Sequence, residues 1–394
     1  MLSEKTITKI SERLNEPEWM LDRRLEAFEK FKELSMPSFK YGIGVSVDVS
    51  DLDLNKLNPE ENIDQYVIKS ENIEVMSFKD AFENNEILLR ENFMTKCVLA
   101  NEDKFTAFHA AFFNNGVLIR IPKNLELKNH IELNLDFTEN LRIDHILVIA
   151  EENSSAVIID SSSSNGNRGF RNQIVEVIVK ENAKIEYRSL QNFSQDVYNF
   201  SRKRAHVERN GFMQWIDCYI GGKFTQSLTK TLLNGENAEN YSQGIIFGDN
   251  DQCFDVNTET IHTASRTKCN MSTRVVLNDN AKAVYRGLVR VNPKAVKCEG
   301  YQKNDTILLS ESAEADAVPN LEIENNDVKC SHGATISQID EAKLFYMMSR
   351  GIDEKSAKKQ IVEGFFDPIL VKIDNEVLKE NIKNNISKRL GAIV

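Results

Sequence analysis

The stretch ENAKIEYRS (residues 181–189) recurs in altered form as ENAENYSQG (236–244) and DNAKAVYRG (279–287). In each copy a polar turn residue precedes an alanine, and a short strand-like run with a tyrosine follows. Weaker echoes are ENSSAVIID (152–160) and ESAEADAVP (311–319). The alanines stand at positions 156, 183, 238, 281 and 313, in uneven steps that are often near one or two turns of a coil. This pattern predicts a parallel β-helix, in which each rung buries its face on the next. An antiparallel sandwich with chance similarity is the alternative.

The region around this repeat, from about residue 116 to 329, reads as all-β. Short runs rich in Val, Ile and Tyr alternate with Asn, Gly, Asp and Ser, and helical spacing is almost absent. The clearest runs are 117–121, 145–150, 156–160, 174–179, 185–187 and 284–291. The fold class is therefore predicted to be mostly β.

The N-terminal end carries helical periodicity instead. Ser11 is predicted to cap one helix over residues 12–36, with Pro17 either near its start or breaking it. An irregular, acidic stretch follows over residues 37–80, with a helix around residues 78–85.

The C-terminal end is also predicted to be helical, with three helices after Gln338. Gly351 is expected to end the first as a C-cap, Asp353 to cap the second, and Pro368 to close the second. The expected domains are an N-terminal helical region (1–80), a β-helix core (81–329) and a C-terminal helical region (330–394).

Composition excludes several classes of function. The formal net charge is −11 over 394 residues, which argues against nonspecific nucleic-acid binding. No apolar run reaches the roughly 18–20 residues of a membrane helix, and the N-terminus is polar, unlike a signal peptide. We therefore expect a cytoplasmic protein without a membrane partner. No GxxxxGK[ST] motif is present, so ATP binding through a P-loop is not expected.

The six cysteines contain no CxxC pair, and a reducing cytoplasm disfavours disulfides. Five of them are predicted to be buried free thiols: Cys97, Cys218, Cys253, Cys269 and Cys298. Trp215 next to Cys218 favours core packing there, and a structural or solvated role is the simpler interpretation of His206.

The sixth cysteine is different, because Cys330 and His332 are at positions i and i+2 of a strand-to-helix junction. In a strand both side chains point to one face, with Cβ atoms roughly 6–7 Å apart. That span suits a thiolate and an imidazole that act as ligands on one face of a strand. The alternative is a buried thiol beside a hydrogen-bonded histidine in the last rung.

An apolar cluster follows in the first C-terminal helix. It either docks a partner or packs on the end of the β-helix. Its members, with the turn behind them, are Phe345, Tyr346, Met347, Met348, Arg350 and Gly351.

Long motifs of this chain resemble the SufB/SufD family of iron–sulfur cluster assembly proteins. The C-terminal signature is CSHGATISQIDEAKLFYMMSRGIDEKSAKKQIVEGFF (330–366), and the N-terminal one is EPEWMLDRRLEAFEKFKELSMP (16–37). AVYRGLVRVNPKA (283–295) and GYQKNDTILLSESAEADAVPNLEI (300–323) match the central pattern in order. Asn192 also falls on a family position, although an asparagine in a turn is the simpler explanation.

The resemblance implies a right-handed parallel β-helix between two helical regions. It also implies a scaffold, not an enzyme, that holds a transient iron–sulfur cluster. The implied partners are a second SufB/SufD-type chain, in a heterodimer or a homodimer, a SufC-type ABC ATPase, and apo-proteins that accept the cluster. Cys330 and His332 are the implied iron ligands, completed by a partner chain, and the implied partner-binding residues are Phe345, Tyr346, Met348 and Arg350.

The site resembles the SufD branch more than the SufB branch. Asn304 stands where SufB-type chains have a sulfur-accepting cysteine, and Gly333 stands where they tend to have a glutamate. The start, EPEWML (16–21), is more SufB-like, so an undifferentiated SufB/SufD chain is the other interpretation. Two further functions stay open: a structural adaptor that docks the ATPase without a cluster, and a β-helix enzyme acting on carbohydrate.

Overall fold

The computed structural model describes residues 2–37, 49, 52–60, 66–70, 73, 75–138, 140–164, 166 and 169–392. The fold is mostly β, with 45% strand and 26% helix, and forms a parallel β-solenoid of about eight turns with helices at both ends. The predicted fold class is confirmed. Part of the predicted irregular stretch, residues 37–80, lies outside the described residues.

The helices and strands follow in chain order. The helices are α1 (Glu4–Arg13), α2 (Glu18–Glu33), α3 (Phe78–Asn84), α4 (Glu86–Asn92), α5 (Lys104–Phe112), α6 (Glu341–Ser349), α7 (Glu354–Leu370) and α8 (Glu376–Ala392). The strands are β1 (Val67–Lys69), β2 (Val75–Ser77), β3 (Asn115–Ile121), β4 (Ile131–Phe137), β5 (Leu141–Ala150), β6 (Ser155–Ser164), β7 (Gly169–Val179), β8 (Lys184–Phe193), β9 (Val197–Val207), β10 (Phe212–Gly221), β11 (Phe224–Leu233), β12 (Glu239–Gly248), β13 (Cys253–His262), β14 (Lys268–Leu277), β15 (Lys282–Val291), β16 (Cys298–Leu308), β17 (Glu314–Ile323) and β18 (Val328–Gln338).

From β3 onward, successive strands alternate between two sheets, in each of which they run parallel. One runs β1-β4-β6-β8-β10-β12-β14-β16-β18 and the other runs β17-β15-β13-β11-β9-β7-β5-β3-β2. We call them the even sheet and the odd sheet. Paired residues are one turn of the solenoid apart in sequence, as when Phe212 pairs with Glu239 and Lys282 pairs with Glu314. The second of these turns is longer than the first, so the repeat is not strictly periodic.

The Asn-Ala motif marks a corner of the solenoid at which the backbone of an asparagine adopts the left-handed region, with positive φ. Asn153, Asn182, Asn210 and Asn237 have φ between 52° and 61°, a region that asparagine tolerates better than most residues. Their side-chain amides form a ladder, with each donating to the asparagine one turn earlier at 2.9–3.0 Å along 153–182–210–237. The asparagine directly before Ala183 and before Ala238 therefore stabilises this corner, and its recurrence is a sequence signal of the fold.

The uneven spacing of the motif has a geometric cause. Ala183 and Ala238 precede β8 and β12 of the even sheet, two turns apart, whereas Ala281 and Ala313 precede β15 and β17 of the odd sheet. The step between Ala238 and Ala281 therefore crosses from one sheet to the other and amounts to one and a half turns.

The helical regions cover opposite outer faces of the solenoid. An apolar cluster joins α1, α2 and α5 to outward side chains of the odd sheet, among them Ile143 and Ile174. A second cluster joins α7 and α8 to outward side chains of the even sheet, among them Ile216 and Phe247. Between the sheets, side chains such as Ile146 and Ile185 form a separate interior core.

The two ends of the solenoid differ. At the N-terminal end, β1 and β2 pair antiparallel with β4 and β3 and close both sheets. At the C-terminal end, β17 and β18 are the last strands, and no further strand pairs with them among the described residues. Pro319 lies in β17, as expected for an edge strand, because proline cannot donate to another strand.

Two predicted helix features are wrong. The helix predicted over residues 12–36 begins only at Glu18, after the positive φ of Asn15, and Pro17 lies at its start as one of the two alternatives predicted, but Ser11 is buried inside α1 and does not cap it. Pro368 does not close the second C-terminal helix but lies inside α7. It falls in the last turn, where a missing N–H interrupts little of the helix.

Other predicted helix features are confirmed. Gly351 has φ +88° after α6, and the Asp353 side chain accepts from the Ser356 N–H at 3.0 Å. The domain bounds stay a prediction, and β18 extends from Val328 past residue 329 to Gln338. In the part of the chain that the structure describes, no helix has the length and apolar character needed to cross a membrane.

Candidate functional site

Cys330 and His332 lie on β18, the edge strand at the open end of the even sheet. Both point to the same face because they occupy alternate positions of a strand. Cys330 is half-buried and packs against an apolar cluster drawn from both sheets, so this face is the interior of the solenoid. His332 is exposed, because β18 is the last strand of its sheet. The pair therefore lies at the open, C-terminal end of the solenoid.

Two more thiols, those of Cys269 and Cys298, lie near Cys330 inside the solenoid. The strand register places Cys269 of β14, Gly300 of β16 and Cys330 of β18 in one row. Gly300 is tightly packed in that row: a Cβ placed on it would lie 2.9 Å from Val289 Cγ1, 3.2 Å from Cys330 Sγ and 3.5 Å from Cys269 Sγ. Cys298 belongs to the same interior cluster.

A buried imidazole contacts this row. His262 Nε2 lies 3.3 Å from Cys269 Sγ, and Nδ1 lies 2.6 Å from Thr267 Oγ1. The Thr267 hydroxyl donates to the Ala264 carbonyl, so His262 Nδ1–H donates to Thr267 Oγ1. The lone pair of Nε2 therefore faces the Cys269 thiol.

Burial keeps these groups uncharged. It raises the pKa of Cys269 to about 12, and it lowers the pKa of His262 to about 4. Burial also raises the pKa of Cys330, opposed in part by the backbone N–H of Gly300. Near neutral pH the row holds neutral thiols, which must lose a proton before they bind a metal, and a neutral imidazole, which can bind one directly.

A groove of about 530 Å³ lies on the outer face of the even sheet at this level, and residues from four strands, β12, β14, β16 and β18, line it. Lys268, Glu299 and Lys329 in its lining alternate with the interior row along their strands, so their side chains point away from that row. Among the described residues, no group of three or more His, Cys, Asp or Glu side chains is already arranged to hold a metal ion.

The two residues that set this chain apart from the SufB pattern are placed differently. Asn304 is buried, and its Oδ1 accepts from Thr306 Oγ1 at 3.2 Å, so it is engaged inside the solenoid. Gly333 lies on the opposite face of β18 from His332, and a Cβ there would meet nothing within 4 Å.

The first C-terminal helix exposes its apolar side chains. Helix α6 has no buried residue, and Phe345, Tyr346 and Met348 are 74%, 58% and 42% exposed. The Arg350 guanidinium lies 5.3 Å from the centre of the Tyr346 ring. The alternative in which this cluster packs on the end of the solenoid does not fit that exposure. Helix α6 follows β18 after only Ile339 and Asp340, so the apolar face and the Cys330/His332 pair are adjacent in the chain.

The remaining residues of the sequence analysis have structural roles. His206 Nε2 is hydrogen-bonded to the Asn234 amide, and burial lowers its pKa. Cys218 is buried under α7 and α8. Asn192 is not in a turn: it lies in β8, and its Nδ2 donates to Asn385 of α8 at 3.1 Å. Cys253 is half-buried, whereas the other four predicted buried thiols are buried.

The sequence analysis missed that Cys269 and Gly300 share a row with Cys330 and that His262 contacts Cys269. The one available signal is spacing: positions 269, 300 and 330 are almost evenly spaced, and each step is close to one turn. His262 and Cys269 lie on opposite sheets, at the two sides of one corner.

Comparison with known proteins settles the family. Residues 134–365 match the family described as SUF system FeS cluster assembly, SufBD core domain. The chain belongs to the SufBD family. The iron-sulfur cluster assembly SufBD family proteins of Staphylococcus epidermidis and Staphylococcus saprophyticus are 29% identical to it, over 96% of this chain and 91% of theirs. The one from Staphylococcus aureus is 28% identical over the same shares.

Membership in the SufBD family confirms the predicted resemblance and gives the coarse function, a part in iron–sulfur cluster assembly. The matched region ends at residue 365, so it includes the Cys330/His332 strand and helix α6.

Proposed function

We propose that this chain is a scaffold subunit of a SUF assembly complex, which holds a nascent iron–sulfur cluster at Cys330 and His332. The observation that carries the proposal is the position of this pair on the inner face of β18, which pairs with β16 on one side and with no other strand among the described residues. A thiolate and an imidazole are suitable iron ligands, but two ligands do not complete a cluster. The open end of the solenoid offers room for a second chain to supply the others.

The proposed second subunit is another SufB/SufD-type chain that meets β17 and β18. Edge strands present unpaired N–H and C=O groups, which favour pairing with a strand of another chain. Pro319 has no N–H to donate, so part of the β17 edge is less able to pair with another strand. This leaves β18 as the better pairing strand. In a homodimer Cys330 and His332 would be offered twice, without the cysteine that Asn304 replaces. A SufB-type partner would provide it, so a heterodimer is the preferred form.

The proposed energy-supplying partner is a SufC-type ABC ATPase that docks on α6. Exposed aromatic and methionine side chains on one short helix are typical of a docking surface. Phe345, Tyr346 and Met348 form it, with Arg350 beside Tyr346. The chain itself is proposed to have no enzymatic activity, and apo-proteins are the proposed cluster acceptors. A cytoplasmic location is part of the proposal, because the site needs reduced thiols.

Anaerobic reconstitution tests the cluster site. The chain is co-expressed with a SufC-type ATPase and a SufB-type chain, and iron and sulfide are added. Wild-type complex should develop a visible cluster chromophore, and the Cys330→Ala/His332→Ala double variant should lose most of it. Cys253→Ala, which removes a half-buried thiol elsewhere, is the matched control. An unchanged chromophore in the double variant would remove the ligand assignment.

A structural adaptor that docks the ATPase without a cluster is the second candidate, favoured by Asn304 in place of the SufB-type cysteine. Native mass measurement separates the two candidates, because it counts ATPase subunits and bound iron in the same complex. Phe345→Asp should abolish ATPase binding under both candidates. Iron that is absent from a fully assembled wild-type complex would favour the adaptor.

A further inference from the structure

The outward-facing charges of the odd sheet change sign from strand to strand toward the open end. They alternate along their strands with interior residues such as Ala283 and Ala315, so they lie on the outer face of the sheet. This face is basic on β11, acidic on β13, basic on β15 and acidic on β17. Its charged residues on these four strands are, in that order, Lys230; Asp255 and Glu259; Lys282, Arg286 and Arg290; Glu314, Asp316 and Glu322.

Ion pairs join these strands to one another. Lys230 Nζ on β11 lies 3.7 Å from Glu259 Oε2 on β13, and Lys282 Nζ on β15 lies 3.0 Å from Glu314 Oε1 on β17. The other two pairs are Arg286–Asp255 and Arg290–Glu322. The strands β13 and β15 therefore have a strand of opposite charge on both sides, whereas β17, the last strand of its sheet, has one on a single side.

One row on the outer face of the even sheet alternates in the same way. Glu239, Lys268, Glu299 and Lys329 are in register on β12, β14, β16 and β18. The row ends at Lys329, which is exposed on the edge strand. The two edges at the open end therefore have opposite charge: β17 is acidic and β18 is basic.

From this alternation we infer that the partner at the open end is a second solenoid chain whose basic edge strand lies against β17 and whose acidic edge strand lies against β18. This inference rests on the proposed function, which places a SufB/SufD-type chain at these two strands, and it adds the charge of the partner's edges. Opposite charges on neighbouring strands attract, and like charges directly opposite each other are destabilising. A partner with these edges continues the alternation in both sheets.

The edge charges determine which strands meet more than how tightly they bind, because exposed ion pairs contribute little affinity but disfavour wrong partners. Glu314 and Glu322 are half-exposed, so each can face a second cation besides its partner on β15. In the middle of the strand, Asp316 is in register with Val284, an uncharged residue. Two acidic edges brought together would repel each other, so the alternation selects a basic strand at β17.

A charge-swapped variant tests the inference without removing the ion pairs inside the chain. It exchanges the members of two pairs, so that the β17 edge becomes basic: Lys282→Glu/Glu314→Lys with Arg290→Glu/Glu322→Lys. The full-length chain is purified anaerobically, and its dissociation constant for a SufB-type chain is measured by sedimentation velocity at low and at high salt. We expect association to be weaker by about tenfold or more at low salt, and the difference to shrink at high salt.

The matched control is Lys230→Glu/Glu259→Lys, which makes the same exchange between β11 and β13, away from the edge. This control should associate as the wild type does. Carbodiimide cross-linking of the wild-type complex is the second measurement, because it joins carboxylates to lysines in direct contact. We expect Glu314 or Glu322 to be joined to a lysine of the partner, and Lys329 to one of its carboxylates.

The outcomes separate this inference from the proposed function. If the charge-swapped variant associates as the wild type does at low salt, the inference is overturned, and the acidic edge only protects β17 from unspecific pairing. A complex with no cross-link at either edge would overturn it as well. In both cases a loss of chromophore in the Cys330→Ala/His332→Ala complex would still support the proposed function. A wild-type chain that does not associate with a SufB-type chain would remove both the inference and the proposed heterodimer.

Discussion

The two ends of the solenoid are built on the same strands but are finished in different ways. At the N-terminal end, β1 and β2 close the sheets and α1, α2 and α5 cover the odd sheet. At the C-terminal end, β17 and β18 are uncovered edges, and Cys330 and His332 lie on the last strand.

The two ends of the solenoid also differ in the groups that they bury. The closed end contains an ion pair between Arg24 and Glu16 with both side chains fully buried. It also contains the Arg171–Asp144 pair inside the first turns of the solenoid. The open end has neutral thiols and an exposed imidazole instead. The comparison indicates that one end stabilises the fold and the other is left free for binding, and three predictions test this division.

The largest expected effect is on the closed end. Arg24 holds Glu16 through two hydrogen bonds, at 2.6 Å and 2.7 Å, and its guanidinium lies 3.7 Å from the centre of the Phe113 ring. Glu16→Ala leaves a buried, unpaired guanidinium, so the free energy of unfolding should fall by about 3–5 kcal/mol. Urea unfolding followed by circular dichroism measures it.

The matched control for this prediction is the surface pair Lys30–Glu33, whose side chains are 50% and 63% exposed. Glu33→Gln should change the free energy of unfolding by less than about 0.5 kcal/mol, since exposed pairs contribute little. Equal losses in Glu16→Ala and Glu33→Gln would contradict a stabilising role for the closed end.

A smaller effect should appear on acidification. Burial alone would raise the pKa of Asp144, but Arg171 and Arg142 outweigh it and lower that pKa from 3.8 to about 2. Because the folded-state pKa is depressed, this stabilisation is fully present above about pH 4 and is lost as the pH falls through about 2. It amounts to about 2 kcal/mol.

Unfolding free energies of the wild type and Asp144→Asn between pH 2 and pH 5 measure this term. The variant should be less stable at pH 5 and should lose less stability on acidification, because its amide does not titrate. Asp22→Asn, at an exposed position of α2, is the control and should follow the wild-type curve. If Asp144→Asn loses as much unfolding free energy on acidification as the wild type does, other carboxylates determine the acid sensitivity of the closed end.

Two features of the molecule could be predicted from the sequence: the solenoid and the Cys330/His332 pair. The solenoid could be predicted because left-handed corners favour asparagine, and Asn182 and Asn237 therefore recur. The Cys330/His332 pair could be predicted because alternate positions of one strand share a face, and the family signature marks it. Such signals are local, so a single stretch of sequence carries them.

The interior row could not be predicted, because it depends on register between distant strands. The length of a turn varies along the solenoid: the turn from Phe212 to Glu239 is shorter than the turn from Lys282 to Glu314. Spacing alone therefore does not pair Cys269 with Cys330. Gly300 is required because a Cβ there would lie 2.9 Å from Val289 Cγ1, a contact with the other sheet that the sequence alone does not report.

The break between α1 and α2 was predicted only as one of two alternatives for Pro17. The apolar spacing continues across Asn15 and Pro17, so the helical period gives no sign of the interruption. The turn is set by the positive φ of Asn15, which the spacing of apolar residues does not report.

The smallest effect on stability should come from the open end, where the Cys330→Ala/His332→Ala double variant is informative in the chain without partners. His332 is exposed and Cys330 half-buried, so the free energy of unfolding should fall by less than about 1 kcal/mol, with the denaturant slope unchanged. Cys97→Ala is the matched control: this thiol is buried under the N-terminal helices and its loss should cost about 1–2 kcal/mol. A double variant that unfolds more easily than Cys97→Ala would make the open end a structural element and remove the division between the two ends. A stable double variant that no longer forms the chromophore in the reconstituted complex would support the division between the two ends. Cluster binding and stability would then depend on different parts of one solenoid.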